Sequence, residues 1–182
     1  NPKDGSFYWR VPLKDIFNES STTPVRVGDR ILASSVTFGS LGIEMSSANG
    51  KPSAKQIWRQ RMLSCYFSTP TAVGREHIYL VTGRLFPSAR ADLRCVELKT
   101  GKQLWKRKQA VGKYHAALLR TGDDHLLMLE EDGQLVLFKP DPKGYRELAR
   151  AKVCGSTWAH PALSNGKVYL RDNSHLICLK MR

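Results

Sequence analysis

The four cysteines of this 182-residue chain, Cys65, Cys95, Cys154 and Cys178, form no CxxC pair and no vicinal pair. That spacing fits neither a zinc site nor a dense disulfide framework, and it leaves the redox compartment open. Long apolar runs are missing too. The longest aliphatic stretches, such as Leu126-Leu127-Met128-Leu129, fall far short of a membrane span, and residues 1–20 show no basic-then-apolar leader. No helical period competes anywhere along the chain. Acids are scarce: 16 Asp plus Glu stand against 29 Lys plus Arg, for a formal charge of +13. Such a field attracts polyanions, whether nucleic acid, anionic headgroups, acidic glycans or an acidic protein face. With 41% hydrophobic and 25% charged residues the composition is globular, and the length suffices for one domain with a sizeable core.

What the sequence does contain is a repeat. Thr22-Thr23-Pro24-Val25-Arg26-Val27-Gly28, Ser68-Thr69-Pro70-Thr71-Ala72-Val73-Gly74 and Ala159-His160-Pro161-Ala162-Leu163-Ser164-Asn165-Gly166 share one plan: a small or polar start, a proline, a β-prone run and a turn. The copy at Tyr114-His115-Ala116-Ala117-Leu118-Leu119 has lost its proline but keeps a turn at Gly122-Asp123-Asp124. Second runs follow at Ile31-Leu32-Ala33, Ile78-Tyr79-Leu80-Val81, Leu126–Leu129 and Val168-Tyr169-Leu170. The second half of the unit repeats as well: Leu93–Leu98 leads through Lys99-Thr100-Gly101-Lys102 to Gln103-Leu104-Trp105-Lys106, much as Asn49-Gly50-Lys51 leads to Gln56-Ile57-Trp58-Arg59. Pro24 to Pro70 is 46 residues and Trp58 to Trp105 is 47. Each unit is thus four short runs separated by Gly, Asn or Asp turns, an antiparallel meander. One such sheet cannot cover both its faces, whereas sheets set side by side around an axis can. The expected fold is all-β, a β-propeller of four-stranded antiparallel blades with about four blades present. Trp9, Trp58 and Trp105 are expected to fill the gaps between neighbouring blades.

The run Val168-Tyr169-Leu170…Leu176-Ile177-Cys178-Leu179, and above all Leu98-Lys99-Thr100-Gly101-Lys102-Gln103-Leu104-Trp105, resembles the PQQ-like (quinoprotein-type) propeller repeat. The resemblance extends over nearly the whole chain and is strongest in residues 67–107. It implies the propeller fold and a place outside the cytoplasm, periplasmic or extracellular. On function it is broad: that family spans quinone dehydrogenases, the propeller lipoprotein of the outer-membrane β-barrel assembly machinery, and many non-catalytic proteins.

Blades are expected over residues 20–60, 66–108, 113–151 and 156–182. Gly5-Ser6-Phe7-Tyr8-Trp9-Arg10 matches Gly101–Lys106, so residues 1–12 read as the outer strand of a preceding or closing blade. Leu176–Met181 reads as a third strand. The sequence leaves open a portion of a larger propeller, a small ring closed by the first strand, or one ring shared by a homodimer.

Catalytic signatures are few. Quinone enzymes of this fold hold calcium with carboxylate and amide oxygens over a tryptophan floor, and many use adjacent cysteines. The adjacent cysteines are missing here, and the carboxylates cluster in turns, with Glu130-Glu131-Asp132-Gly133 read as a hairpin whose charges sit in solvent. Trp158 could face the channel, although packing is its expected role. Five histidines show no HExxH spacing; Gly39-Ser40-Leu41-Gly42 falls short of a nucleophile elbow, and Gly50-Lys51-Pro52-Ser53 lacks the upstream glycine of a phosphate loop. Cys95 and Cys178 occupy one repeat position, as small apolar fillers. The expectation is no enzyme, no cofactor and no metal.

Topology gives the bases a place. Connectors from fourth to first strands share one face with the turns between second and third strands. Arg59, Arg61, Lys106, Arg107, Lys108, Lys113, Arg150 and Lys152 fall in or beside those connectors. The enlarged loop Gly83–Asp92 adds Arg84, Phe86 and Arg90. Arg59, Arg61, Arg84, Phe86, Arg90, Lys106, Lys108 and Lys113 are the candidate binding face, for a protein or other anionic partner. Nucleic acid is disfavoured, because aromatics do not interleave with the bases.

Overall fold

The computed structural model describes residues 1–85 and 87–181, and these form fifteen strands and no helix. Sheet one holds β1 (Val25–Val27), β2 (Arg30–Ser35), β3 (Gly39–Ala48) and β4 (Lys51–Gln60); sheet two holds β5 (Thr71–Val73), β6 (His77–Arg84), β7 (Arg90–Glu97) and β8 (Gln103–Lys106). Sheet three holds β9 (Ala116–Arg120), β10 (Leu126–Glu130), β11 (Gln134–Lys139) and β12 (Arg146–Lys152), and sheet four holds β13 (Ala162–Ser164), β14 (Lys167–Arg171) and β15 (Leu176–Lys180). Neighbours in each sheet follow chain order and run antiparallel, so each sheet is a meander, a propeller blade. Turn chemistry sets two of the hairpins. Asn49-Gly50 and Asn165-Gly166 place both central residues at positive φ, 51° and 74° in the first and 49° and 68° in the second, which matches the twist of a two-residue hairpin.

The pleat then distributes the core. In β6 and β7, Ile78, Leu80 and Val96 point at sheet one, where they meet Leu32, Trp58 and Leu63. Their alternates Tyr79, Val81, Leu93 and Cys95 point at sheet three, against Leu118, Met128 and Phe138. Sheet three repeats the division, giving Leu127, Leu129 and Leu135 to Val168 and Leu170 of sheet four. Each fully buried aliphatic side chain contributes about 1.5–3 kcal/mol. The first strands lie nearest one another, β1 against β5 and β5 against β9.

One side chain locks sheet one to sheet two. Trp58 sits opposite Gly42 in the β3–β4 ladder and donates its indole N–H across the interface to the carbonyl of Leu98, at 2.8 Å. Its ring lies over Gly101, where a Cβ would stand 2.6 Å from the indole and where φ is +71°. A Cβ at Gly42 would come within 2.2 Å of the same ring. Trp105 repeats the bond one blade on, donating to the carbonyl of Asp141 at 2.7 Å. The third-to-fourth strand ladders all carry a bulge, at Gly42/Ile43, Cys95/Val96 and Leu137/Phe138.

Residues 1–12 lie in no assigned strand of these four sheets. Within them Gly5 N–H donates to Asn1 C=O at 2.8 Å, and Phe7 is 78% exposed. Trp9 is half-buried and lies in no sheet. Of the two cysteines at one repeat position, Cys95 is buried between two blades and Cys178, on the last sheet described, is exposed.

Gly101→Ala is expected to destabilise the chain more than Gly50→Ala. Both glycines have positive φ, but a Cβ at Gly50 meets nothing within 4 Å. The shared backbone penalty is about 1 kcal/mol, and overpacking adds about 1–3 kcal/mol at Gly101. Denaturant melts of the two variants, repeated in a Trp58→Ala background, should show the excess at Gly101 disappearing.

Candidate binding face

The three connectors between blades are hydrogen-bonded to the turns beside them. Gly83 N–H donates to Ser64 C=O at 2.7 Å, and Ser64 Oγ donates to Ser35 C=O at 3.1 Å. Ala91 and the connector at Val111 and Gly112 exchange two bonds of 2.9 Å; Glu131 N–H reaches Val111 C=O, and Thr157 N–H reaches Glu131 C=O at 3.0 Å. A belt of backbone bonds therefore holds the face in one shape.

Five carboxylates on this face are all engaged from within. Asp15 is buried and accepts from Ser35 Oγ at 2.7 Å, Thr37 N–H at 2.8 Å and Phe17 N–H at 2.9 Å. Burial opposes its charge, yet those bonds together hold the carboxyl well below the usual carboxylate range. Asp92 is buried beneath three bases, Arg90 at 2.7 Å, Lys106 at 3.8 Å and Arg94 at 3.9 Å. Glu130 corrects the expectation of solvated turn charges: it is buried, paired with buried Arg107 and with Arg150 at 2.7 Å, because it is the last residue of β10, opposite Ala116 in the ladder, and not part of the turn. Glu131 accepts from the N–H groups of Lys113 and Tyr114, at 2.6 and 2.9 Å, and from Trp158 Nε1 at 2.9 Å. Burial raises its pKa and these bonds lower it, with a net fall. Asp172 accepts from the N–H groups of Gly155, Ser174 and His175, which hold its carboxyl well below the usual range.

The candidate bases divide into groups. Arg61, Arg84, Arg90 and Lys106 line one cleft of about 690 Å³ together with Arg94, which the repeat pattern did not single out. Five bases there face one carboxylate, Asp92, beside Met62, which is 75% exposed. Among the described residues Arg61 and Arg84 have no carboxylate within salt-bridge distance, whereas Arg90 is turned inward, to Asp92 and to Lys108 C=O at 2.9 Å. Lys108 is exposed. Arg59 lies over the Phe38 ring, 3.7 Å from its centroid, and donates to Phe38 C=O at 3.1 Å. Lys113 lies apart from these, on a second cleft of about 920 Å³. Arg107 and Arg150, expected among the free bases, are tied to Glu130. Phe86 lies outside the described residues.

Trp158 is half in solvent on the second cleft. Its ring packs against Phe67 and Tyr114, which stand at the same repeat position of the preceding blades. His115 is buried, and burial, with His160 nearby, pushes its pKa down to about 4 against the pull of Glu131. Its Nδ1 meets Ser68 Oγ at 3.2 Å, but both groups are buried and present no nucleophile to a substrate. A quinone with calcium does not fit these residues. The carboxylates that could reach the ion are already bonded to internal donors, and among the described residues no three His, Cys, Asp or Glu side chains gather to hold a metal. Among the described residues no helix is long and apolar enough to cross a membrane.

Neither a family model nor a curated protein matches the chain. Among solved structures it is similar to BamB from Moraxella catarrhalis, with a TM-score of 0.57 and 17% identity over 82% of this chain. The likeness covers 39% of the BamB chain, so the residues described here correspond to well under half of that protein. At that identity it establishes the fold, a partial β-propeller.

Two outcomes test the internal bonding. Glu130→Ala strands a buried guanidinium and should cost about 3–5 kcal/mol, against about 1 kcal/mol or less for a partly exposed pair such as Arg30–Glu44 tested by Glu44→Ala. Chemical denaturation of both variants measures the difference. For Asp15, a depressed folded pKa contributes stability above the unfolded value of about 3.9 and loses it as pH falls below that. Wild type should therefore exceed Asp15→Asn in thermal midpoint at pH 6, with the gap narrowing below about pH 4.

Proposed function

We propose that the chain is a non-catalytic propeller scaffold that docks an acidic protein partner on its connector face, centred on the cleft between Arg61 and Arg84. One observation carries this reading: Asp15, Asp92, Glu130, Glu131 and Asp172 on this face are bonded inward, while Arg61, Arg84, Lys106, Lys108 and Lys113 reach solvent. A surface that neutralises its own acids and leaves its bases free is built to meet negative charge. Exposed Met62 and Phe17 beside those bases add the apolar contact that protein interfaces use. The fold it shares with BamB is consistent with a binding role, and the quinoprotein-type repeat supports a periplasmic or extracellular setting. One alternative is part of a quinone-dependent or sugar-active propeller enzyme whose site lies on other blades, a reading for which a likeness spanning 39% of the BamB chain leaves room. The free edge of β15 is compatible with a ring shared by two copies, residues 7–11 of one pairing with β15 of the other.

Retention on an acidic polymer such as heparin tests the face. Arg61→Glu with Arg84→Glu should elute at much lower salt than Lys51→Glu with Lys143→Glu, which changes net charge equally on turns of the opposite face. Exposed charges are screened over about 8 Å at physiological salt, so retention by these side chains must fall as salt rises. Equal losses for the two pairs would reduce the face to a general effect of net charge.

A further inference from the structure

The second cleft has a different chemistry from the first. Trp158 is 50% exposed, yet its indole is not free to move. Nε1 donates to Glu131 at 2.9 Å, and the ring is braced by Phe67 at 5.1 Å and Tyr114 at 5.6 Å between centroids. Glu131 is in turn fixed by the two backbone N–H groups of the blade-three connector. A large aromatic surface held in water by that many restraints is a preorganised stacking platform, since ordering it has already been done before any ligand arrives.

The groups around the platform narrow the ligand. Lys113, Asp132, Arg171, Asn173 and Ser156 line the same cleft and offer both donors and acceptors. Lys113 and Arg171 share the lining with three carboxylates, Glu130, Glu131 and Asp132, so the cleft carries no excess of positive charge and sets no strong preference for an anionic guest. Its volume of about 920 Å³ lies in the range of small-molecule sites and exceeds a single sugar ring. We infer that this cleft binds a neutral saccharide, one pyranose stacking its apolar face on Trp158 while its hydroxyls bond to Asp132, Arg171 and Asn173. This site is separate from the Arg61–Arg84 cleft and does not rest on the docking proposal.

Saturation-transfer NMR on the full 182-residue chain, with cellotetraose, maltotetraose and chitotetraose as probes, tests it. At least one sugar should bind saturably, with Kd on the order of 0.1–1 mM. Trp158→Ala should weaken that binding about ten-fold or more, Trp158→Phe by less, and Asn173→Ala several-fold, each with an unchanged thermal midpoint. Heparin retention should stay at the wild-type level in all three variants, which keeps this result distinct from the docking test. Should Trp158→Ala fail to fold, the Phe and Asn173 variants decide. Absence of saturable binding for all three sugars up to about 10 mM overturns the inference. So does an affinity indifferent to Trp158 and Asn173, or binding of decaproline in place of the sugars.

Discussion

A sheet has two faces, and a blade in the middle of this chain must bury both. Everything else in the structure follows from how that is done. Strict alternation in β6, β7, β10 and β11 sends successive residues to opposite neighbours, so one strand serves two cores. Because the side-chain period is two, a slip of one residue would exchange the two cores wholesale. The Trp58–Leu98 and Trp105–Asp141 bonds guard against sliding of one blade on the next, each fixing a fourth strand to the turn of its neighbour. The first of these seats is cut more closely, since Gly42 and Gly101 both give up a Cβ to it. The second relies on Tyr79 and Tyr145 around a partly buried ring.

Interlocked blades bring their connectors together at one face, and the same geometry governs the electrostatics there. Connectors are short, so their N–H groups cannot all find strand partners, and buried N–H groups left open are costly. Asp15, Glu131 and Asp172 fill that need, each accepting two or more backbone bonds. Acid spent in this way is lost to the surface. Some bases carry structural bonds too, Arg107 and Arg150 to Glu130 and Arg90 to Asp92 and Lys108 C=O, whereas Arg61 and Arg84 pair with no carboxylate among the described residues. A basic exterior is thus partly a by-product of building the connectors, which is why the position of Arg61 and Arg84 matters more to docking than the total charge.

The repeat made the fold readable in advance. Turns at Asn49-Gly50 and Gly101, together with tryptophans 47 residues apart, mark blade edges that the structure places between sheets. What pattern could not supply was the direction of side chains in irregular segments. Glu130 stands in a sequence that reads as an exposed hairpin, and only the tertiary approach of Arg107, 23 positions away, shows that it is buried. Arg94 was hidden for the opposite reason: a charged residue inside a β-run reads as a solvent-facing alternate, while its place at the cleft is set by its bond to Thr82 Oγ1 at 2.7 Å, with Asp92 at 3.9 Å.

The two clefts differ for a reason that lies in the second-to-third strand turns. In sheet two this turn is enlarged, and its arms carry Arg84 and Arg90 beside the connector that carries Arg61. In sheets three and four the turns are tight, closed by Asp132 and Asp172 through bonds to the backbone N–H of Gln134 and Ser174. Trp158 lines the cleft beside these two tight turns. Loop length and lining side chains together thus give one repeated scaffold a cationic cleft at one blade junction and an aromatic cleft further round. Changing residues 87–89 or 131–133 should alter the neighbouring cleft while the inter-blade cores stay intact, since no residue of the three core clusters lies in either segment.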